Sequence, residues 1–281
     1  MHKAIYQVFF FLHQLSIDVA LGACAMLHAL GQLFNITIPT HYYLLLAIGS
    51  LIIYWVDHVL DSQNPLLVQP NKRHYLFNKY KSFFYVAIIS LIAINAYYSI
   101  AFLSRFELLF GLILLCSLGL YLLYHKKLVR LFILEKELLI SILYVISILF
   151  APIAIINGSL LAYSSICLLI VGLNLFLLAL QNLLSMSVIE RIPDRENGVK
   201  NITQIYGATK IREVQAAMLL LQITLSAMCW IIQPTHTTSV FCLVLLLLSC
   251  FQYLLPRFFK QPQNEVYRIL ADGVFVLVLV V

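Results

Sequence analysis

The sequence predicts an all-α membrane protein, a polytopic bundle of about nine transmembrane helices, from three observations. Of its 281 residues, 62% are hydrophobic and only 11% are charged, whereas a soluble domain carries about 25% charged residues. The apolar residues fall into runs of about 20, the length at which a helix crosses the hydrocarbon layer. The basic residues lie between these runs in a regular alternation. We therefore expect one transmembrane helical domain over residues 1–281.

Nine apolar runs fit transmembrane helices. In chain order, they lie near Val8–Ala29, Tyr42–Leu60, Phe83–Leu103, Leu108–Tyr124, Leu138–Ile156, Leu160–Ser187, Ala216–Ile232, Val240–Leu255 and Val266–Val281. The first run contains Asp18, His13 and His28. An ionisable group inside a span indicates either a functional site or a hydrogen bond between helices, and the sequence leaves both open.

The distribution of basic residues predicts the orientation. Lys3 precedes the first span, and the other basic clusters follow the second, fourth, sixth and eighth spans; of the eighteen lysines and arginines, only Arg105 lies on the opposite side. Because cytoplasmic connections are enriched in lysine and arginine, we expect the amino terminus in the cytoplasm and the carboxyl terminus outside. A bacterial inner membrane is the expected location, although an organelle membrane fits the same pattern.

An acidic pair at the inner end of the second span is the most informative polar pattern. Asp57 and Asp61 are four residues apart, so on a helix they share a face at a separation of roughly 6 Å. Two anions at that distance repel by about 3 kcal/mol at an effective dielectric near 20. A proton, a basic side chain or a divalent cation removes this conflict. The alternative is a polar helix end in contact with water.

A second acidic pair repeats this spacing at the end of the sixth span. Glu190 and Asp194 precede a basic loop, and Pro193 predicts that the helix kinks or ends there. Two acidic pairs on one side of the membrane favour magnesium, which binds a few carboxylate oxygens and completes its shell with substrate phosphates. We therefore predict that the two helix ends converge on one cation.

Two basic segments beside these pairs are candidates for anion binding. Arg73 lies in the loop after the second span, and Lys126 and Lys127 follow the fourth span. If they face a shared cavity, such side chains bind phosphate. Alternatively, they set the topology and contact anionic lipid headgroups. The sequence leaves both interpretations open.

The order and placement of these motifs resemble the UbiA-type intramembrane prenyltransferases. That family has an NxxxDxxxD motif at the inner end of the second helix and a DxxxD motif at the end of the sixth. In this sequence Asp57, Asp61 and Asp194 match, whereas Ile53 replaces the asparagine and Glu190 replaces the leading aspartate of the second motif. The segments Tyr124–Lys127 and Arg268–Gly273 are also similar to family sequences. The resemblance extends over essentially the whole chain.

The resemblance implies a UbiA-like bundle and a transferase that moves an isoprenoid group from its diphosphate to an acceptor. It implies that Mg²⁺ is held by the catalytic carboxylates Asp57, Asp61, Glu190 and Asp194. Substrate binding is expected from Lys126, Lys127, Lys200, Arg73 and Tyr54. The expected partners are an isoprenoid diphosphate, membrane lipid and an acceptor that the sequence does not identify; no nucleic acid is expected. Because Ile53 cannot coordinate a cation or form a hydrogen bond through its side chain, the alternative is a non-catalytic protein that binds or transports isoprenoid lipids.

Overall fold

The computed structural model describes residues 2–63, 72–128, 133–156, 162–197, 201–259 and 266–281; side chains are described at 7–63, 73–117, 119, 137–156, 166–197, 201–259 and 266–281. Within these ranges the chain is helical, without strands. The helices are α1 (His2–Gln14), α2 (Ile17–Leu33), α3 (Thr40–Ser62), α4 (Lys72–Lys79), α5 (Lys81–Phe102), α6 (Arg105–Leu128), α7 (Ile133–Ile156), α8 (Ala162–Ile189), α9 (Arg191–Glu196), α10 (Ile202–Tyr206), α11 (Ala208–Ile232), α12 (His236–Phe258), α13 (Val266–Gly273) and a 3₁₀ helix (Val274–Val280).

Six helices of the described part are long and apolar enough to cross a membrane, or seven if the bent pair α1–α2 forms one span. They are α3, α5, α7, α8, α11 and α12, which correspond to the second, third, fifth, sixth, seventh and eighth predicted spans. The described part is therefore all-helical with six or seven candidate membrane spans, while a total of nine spans stays a prediction. The fourth predicted span lies in α6, where the side chains of residues 118 and 120–128 are outside the described residues.

The first predicted span, Val8–Ala29, is divided into two helices, and whether the bent pair crosses the membrane as one span stays a prediction. α1 and α2 meet at an angle of 81°, and Ser16 between them has a left-handed φ of 55°. Two side chains from α3 compensate for the interruption. The Trp55 indole donates to the Leu15 carbonyl oxygen at 2.9 Å, and the Ser16 hydroxyl lies 2.9 Å from Nε2 of His58. An interrupted helix at membrane depth is tolerated where such partners satisfy its polar groups.

The last predicted span, Val266–Val281, is also not a single α-helix. α13 ends at Gly273, and the following valine-rich segment continues as a 3₁₀ helix. Phe275 and Val278 are buried, and their spacing of three residues corresponds to one 3₁₀ turn. Branched side chains lower α-helix propensity, and the segment packs closely against α2; both favour a departure from the α-helix here.

The centre of the bundle is formed by α2 and α8. α2 packs against α3, α7 and the 3₁₀ helix, and α8 packs against α7, α11 and α12. In the most apolar part of α8, 61% of the residues are buried, compared with 11% in α3 and α5. α3 and α5 therefore present much of their apolar surface outward, as expected for helices that contact lipid, and α3 also borders the polar site described below.

A close approach between α2 and the 3₁₀ helix predicts a requirement for glycine at position 22. A Cβ atom at Gly22 would lie 3.0 Å from Cβ of Phe275, whereas one at Gly49 in α3 would meet nothing within 4 Å. We expect Gly22→Ala to lower the free energy of unfolding by about 1–3 kcal/mol, because the two segments must separate. Gly49→Ala is expected to leave it unchanged or raise it by up to about 1 kcal/mol. Unfolding of both variants in detergent measures this difference, and equal stabilities would contradict the close packing.

Candidate functional site

A cavity opens between α2, α3, α7, α8 and the α13–3₁₀ segment. It contains about 430 Å³ of empty space, including its mouth, and is lined by Val19, Tyr54, Ile140, Ser141, Tyr144, Ala179, Asn182, Leu183, Asp272 and Phe275. Apolar atoms form most of the lining surface, and five of the ten lining residues carry a polar group: two phenols, an amide, a hydroxyl and one carboxylate. Small-molecule sites have this composition, because apolar walls provide affinity and a few polar groups fix the orientation of the ligand.

Three ionisable side chains meet at the polar edge of this cavity. His13, Asp18 and Asp272 each place one potential ligand atom within 4.8 Å of the others, and they form the one group of three or more metal-ligating residues found this close together in the described part of the chain. His13 Nδ1 lies 2.6 Å from Oδ2 of Asp18. Asn182 of α8 donates to Oδ1 of Asp272 at 3.3 Å. The three ionisable side chains come from α1, α2 and α13, and Asn182 adds a contact from a fourth helix, α8.

Arg73 of α4 is buried between two histidines next to the cluster. Its Nη1 lies 3.1 Å from Nε2 of His58, and its Nη2 lies 3.3 Å from Nε2 of His13. A guanidinium is only a donor, so both Nε2 atoms are acceptors and both histidines are neutral in this arrangement. It follows that Nδ1 of His13 carries the proton and donates to Asp18. The histidines fix the guanidinium in place without neutralising its charge.

Glu190 lies at the end of α8 and forms an ion pair with α13. Arg268 Nε donates to its Oε1 at 2.6 Å, and the Tyr267 hydroxyl donates to the same atom at 3.0 Å. Burial alone would raise the pKa of Glu190, but the charge and hydrogen bond of Arg268, with the Tyr267 hydrogen bond and the charge of Arg73, hold this pKa below its ordinary value. Glu190 is therefore ionised. Arg73 contacts His58 near the end of α3 and, through its charge, stabilises the Glu190 carboxylate at the end of α8.

Asp194 is held by the segment that follows the second acidic pair. Nδ2 of Asn201 donates to Oδ2 of Asp194 at 2.7 Å, and Oδ1 of Asn201 accepts from the Thr203 backbone at the start of α10. α8 ends at Ile189, in agreement with the prediction from Pro193, whose ring clashes with the carbonyl four residues earlier. Asp194 therefore belongs to the separate short helix α9.

The four predicted metal ligands do not form one compact group. Asp57 is half-buried and Asp61 exposed on α3, Glu190 is paired with Arg268, and Asp194 accepts from an amide. No three of their carboxylates bring ligand atoms within 4.8 Å of one another. In this arrangement they do not fit a preformed centre for one cation, and Mg²⁺ binding by these four residues stays a prediction.

The five predicted substrate-binding residues divide into two groups. Tyr54 lines the cavity, and Arg73 is buried at its polar edge through contact with His13. The side chains of Lys126, Lys127 and Lys200 lie outside the described residues.

Sequence reasoning named His13 and Asp18 as ionisable groups of the first span, but it did not place them together with Asp272 and assigned no role in this site to His58 or Asn182. The available signals were incomplete. Asp18 stood out as a charge within an apolar span, and Asp272 lay in a segment similar to a known family, but nothing in the spacing connected the two. His13 precedes Asp18 by five residues, which is not the spacing of one helical face. The break at Ser16 turns the two side chains toward each other.

Comparison of this chain with known proteins finds no matching family model, no matching curated protein and no matching solved structure. The function must therefore be inferred from the cavity, the ionisable groups at its edge and the motifs in the sequence.

Proposed function

We propose that this protein is an intramembrane prenyltransferase, which moves an isoprenoid group from its diphosphate to an acceptor. The observation that carries the proposal is an apolar cavity between membrane helices with a buried arginine at its polar edge. Asp272 lines this cavity, His13 lies beside Asp272, and Arg73 contacts His13. An isoprenoid diphosphate has the matching two parts, an apolar chain and an anionic headgroup.

The side chains in the site suit the two ends of this substrate. Arg73, held by His58 and His13, is proposed to bind the diphosphate, which leaves with a pair of electrons when the allylic C–O bond breaks. Apolar and aromatic walls exclude water from the resulting carbocation, and the faces of Tyr54 and Tyr144 stabilise positive charge. The acceptor then attacks the cation and loses a proton. Lys126, Lys127 and Lys200 are proposed as further diphosphate contacts.

The proposal includes Mg²⁺, whose chemistry when bound is to neutralise charge on the diphosphate. It also includes a UbiA-like fold of nine spans in a bacterial inner membrane, with the amino terminus in the cytoplasm. Two features support a common site on one side of the membrane: Arg73 contacts His58 near the end of α3, and its charge lowers the pKa of Glu190 at the end of α8.

A second candidate function is the binding or transport of isoprenoid lipids without chemistry. It is favoured by the contacts of the second motif, since Glu190 is paired with Arg268 and Asp194 is bound to Asn201. It is also favoured by Ile53, which stands where the family has asparagine. In a protein of this kind the carboxylates would stabilise the ends of helices, while the cavity would still hold an apolar chain.

The test uses the full-length protein in lipid nanodiscs with geranyl, farnesyl and geranylgeranyl diphosphate. We expect Mg²⁺-dependent release of diphosphate with at least one of them, and loss of that release in Asp57→Asn with retained substrate binding. Release is followed with a coupled diphosphate assay, and binding by quenching of tryptophan fluorescence. If the folded wild-type protein binds these lipids but releases no diphosphate, the transferase proposal is wrong and the binding function is supported.

A further inference from the structure

We propose that Asp18, Asp272 and Asn182 bind a hard divalent cation at the edge of the cavity, separately from the two acidic motifs, and that His13 positions Asp18. This inference concerns a site that neither the motifs nor the proposed function assigns. It does not require the protein to be a transferase, because binding of the cation is measured directly.

The charges of the cluster call for a positive partner. A carboxylate oxygen of Asp18 and one of Asp272 lie within 4.8 Å of each other, and two anions this close in a bundle interior require a proton or a cation between them. Two arginines lie nearby. Arg268 forms an ion pair with Glu190, and Arg73 contacts His13 of the cluster at 3.3 Å.

The hydrogen bonds separate the ligands from the positioning residue. Because Nε2 of His13 accepts from Arg73, Nδ1 carries the proton and donates to Oδ2 of Asp18. A cation bound at Nδ1 would require the ring proton to move to Nε2. That proton would then point at the N–H group of Arg73, and the hydrogen bond between them would be lost. His13 is therefore a partner of the carboxylate and not a ligand itself, an arrangement that orients carboxylates in metal sites.

Two buried oxygens remain for the cation in addition to Asp272. Oδ1 of Asp18 and Oδ1 of Asn182 are both buried and have no hydrogen-bond partner, a costly state for a polar atom. Asn182 is already in contact with Asp272 through its amide nitrogen. Two carboxylates and an amide oxygen form an all-oxygen ligand set, which suits Mg²⁺, Mn²⁺ or Ca²⁺ better than softer metals.

The backbone and the cavity supply two independent reasons for a ligand here. The break at Ser16 places Asp18 in the first turn of α2, inside what hydropathy predicts as a continuous span. Discontinuous membrane helices commonly form ion and substrate sites. Asp272 and Asn182 also line the cavity, so a cation has a path of entry and remaining coordination positions that face the cavity.

The experiment titrates the full-length protein in detergent with Mn²⁺ and measures free Mn²⁺ by electron paramagnetic resonance. No diphosphate is added, because the acidic motifs are expected to need substrate phosphates to complete a metal shell. We expect the wild-type protein to bind Mn²⁺, and Asp18→Asn and Asp272→Asn each to weaken binding at least about 100-fold. Glu213→Gln removes an exposed carboxylate of α11 and, as the control, is expected to bind Mn²⁺ as the wild type does. Asp57→Asn makes the aspartate-to-asparagine change in the first motif and shows whether that motif holds the ion instead.

Positioning by His13 has its own readout. His13→Gln keeps every proposed ligand, and we expect it to weaken Mn²⁺ binding roughly 10- to 100-fold. Mn²⁺ should also raise the melting temperature of the wild type but not of Asp272→Asn; if the latter does not fold, Asn182→Ala takes its place in both measurements.

Two results would overturn the inference: a folded wild type without Mn²⁺ binding, or binding that is lost in Asp57→Asn and kept in Asp272→Asn. Neither outcome depends on diphosphate release, so failure of the cation site and failure of the transferase proposal are distinguishable.

Discussion

Substitution of Arg73 by lysine is expected to lower diphosphate release about 100-fold, within the range found when one donor to a developing negative charge is removed. The side chain is buried, and its two terminal nitrogens contact His58 and His13 separately. An ammonium keeps the charge but cannot reproduce this planar fork. The variant should therefore remain folded, with a charge that is displaced from the leaving group. Single-turnover release and the melting temperature measure the two effects.

A matched control is Arg105→Lys, which makes the same change at the start of α6, on the side of the membrane predicted to be opposite. It is expected to release diphosphate at the wild-type rate. Equal rates for Arg73→Lys and the wild type would show that Arg73 holds the bundle together through its histidines without acting on the substrate, which would remove the main support for the proposed function.

The helical bundle was predictable from the sequence because lipid leaves few structural choices. A backbone in hydrocarbon must satisfy its own hydrogen bonds, so apolar runs of sufficient length form helices. The break at Ser16 was not predictable on this basis. The groups that compensate for it, the indole of Trp55 and the ring of His58, are on another helix, and hydropathy averaged along one segment contains no information about them.

The candidate site was predictable only where its residues share a local pattern. The spacing of Asp57 and Asp61 placed a carboxylate pair at the end of α3, and the basic loop that follows supplied Arg73. By contrast, the pairing of Glu190 with Arg268 and the meeting of Asp18 with Asp272 depend on how α13 packs against the rest of the bundle. A sequence shows which ionisable groups are present, but packing decides which of them become neighbours.

The ion pair between Glu190 and Arg268 is expected to have the largest effect on stability. The two side chains are only 17% and 18% exposed. Removal of Arg268 takes away the ion-pair partner of Glu190 and leaves the Tyr267 hydrogen bond and the more distant charge of Arg73 to stabilise the carboxylate. We therefore expect Arg268→Ala to lower the free energy of unfolding by about 3 kcal/mol, the lower end of the range for a buried pair. The double variant Glu190→Gln with Arg268→Ala should recover most of this loss, because no unpaired charge remains. The free energies of unfolding of the wild type, the two single variants and the double variant, measured in detergent, form a double-mutant cycle that gives the interaction energy of the pair.

The same pair predicts a dependence of stability on pH. Because the pKa of Glu190 in the folded protein lies below its ordinary value of 4.5, the carboxylate contributes stability above that value, and this contribution is lost as the pH falls through the lowered pKa. The wild type should therefore lose more stability than Glu190→Gln on acidification below about pH 4.5. Parallel pH profiles of the two proteins, or additive effects in the mutant cycle, would mean that Arg268 does not stabilise the charged form of Glu190. The contact between α13 and the end of α8 would then depend on the packing of Tyr267.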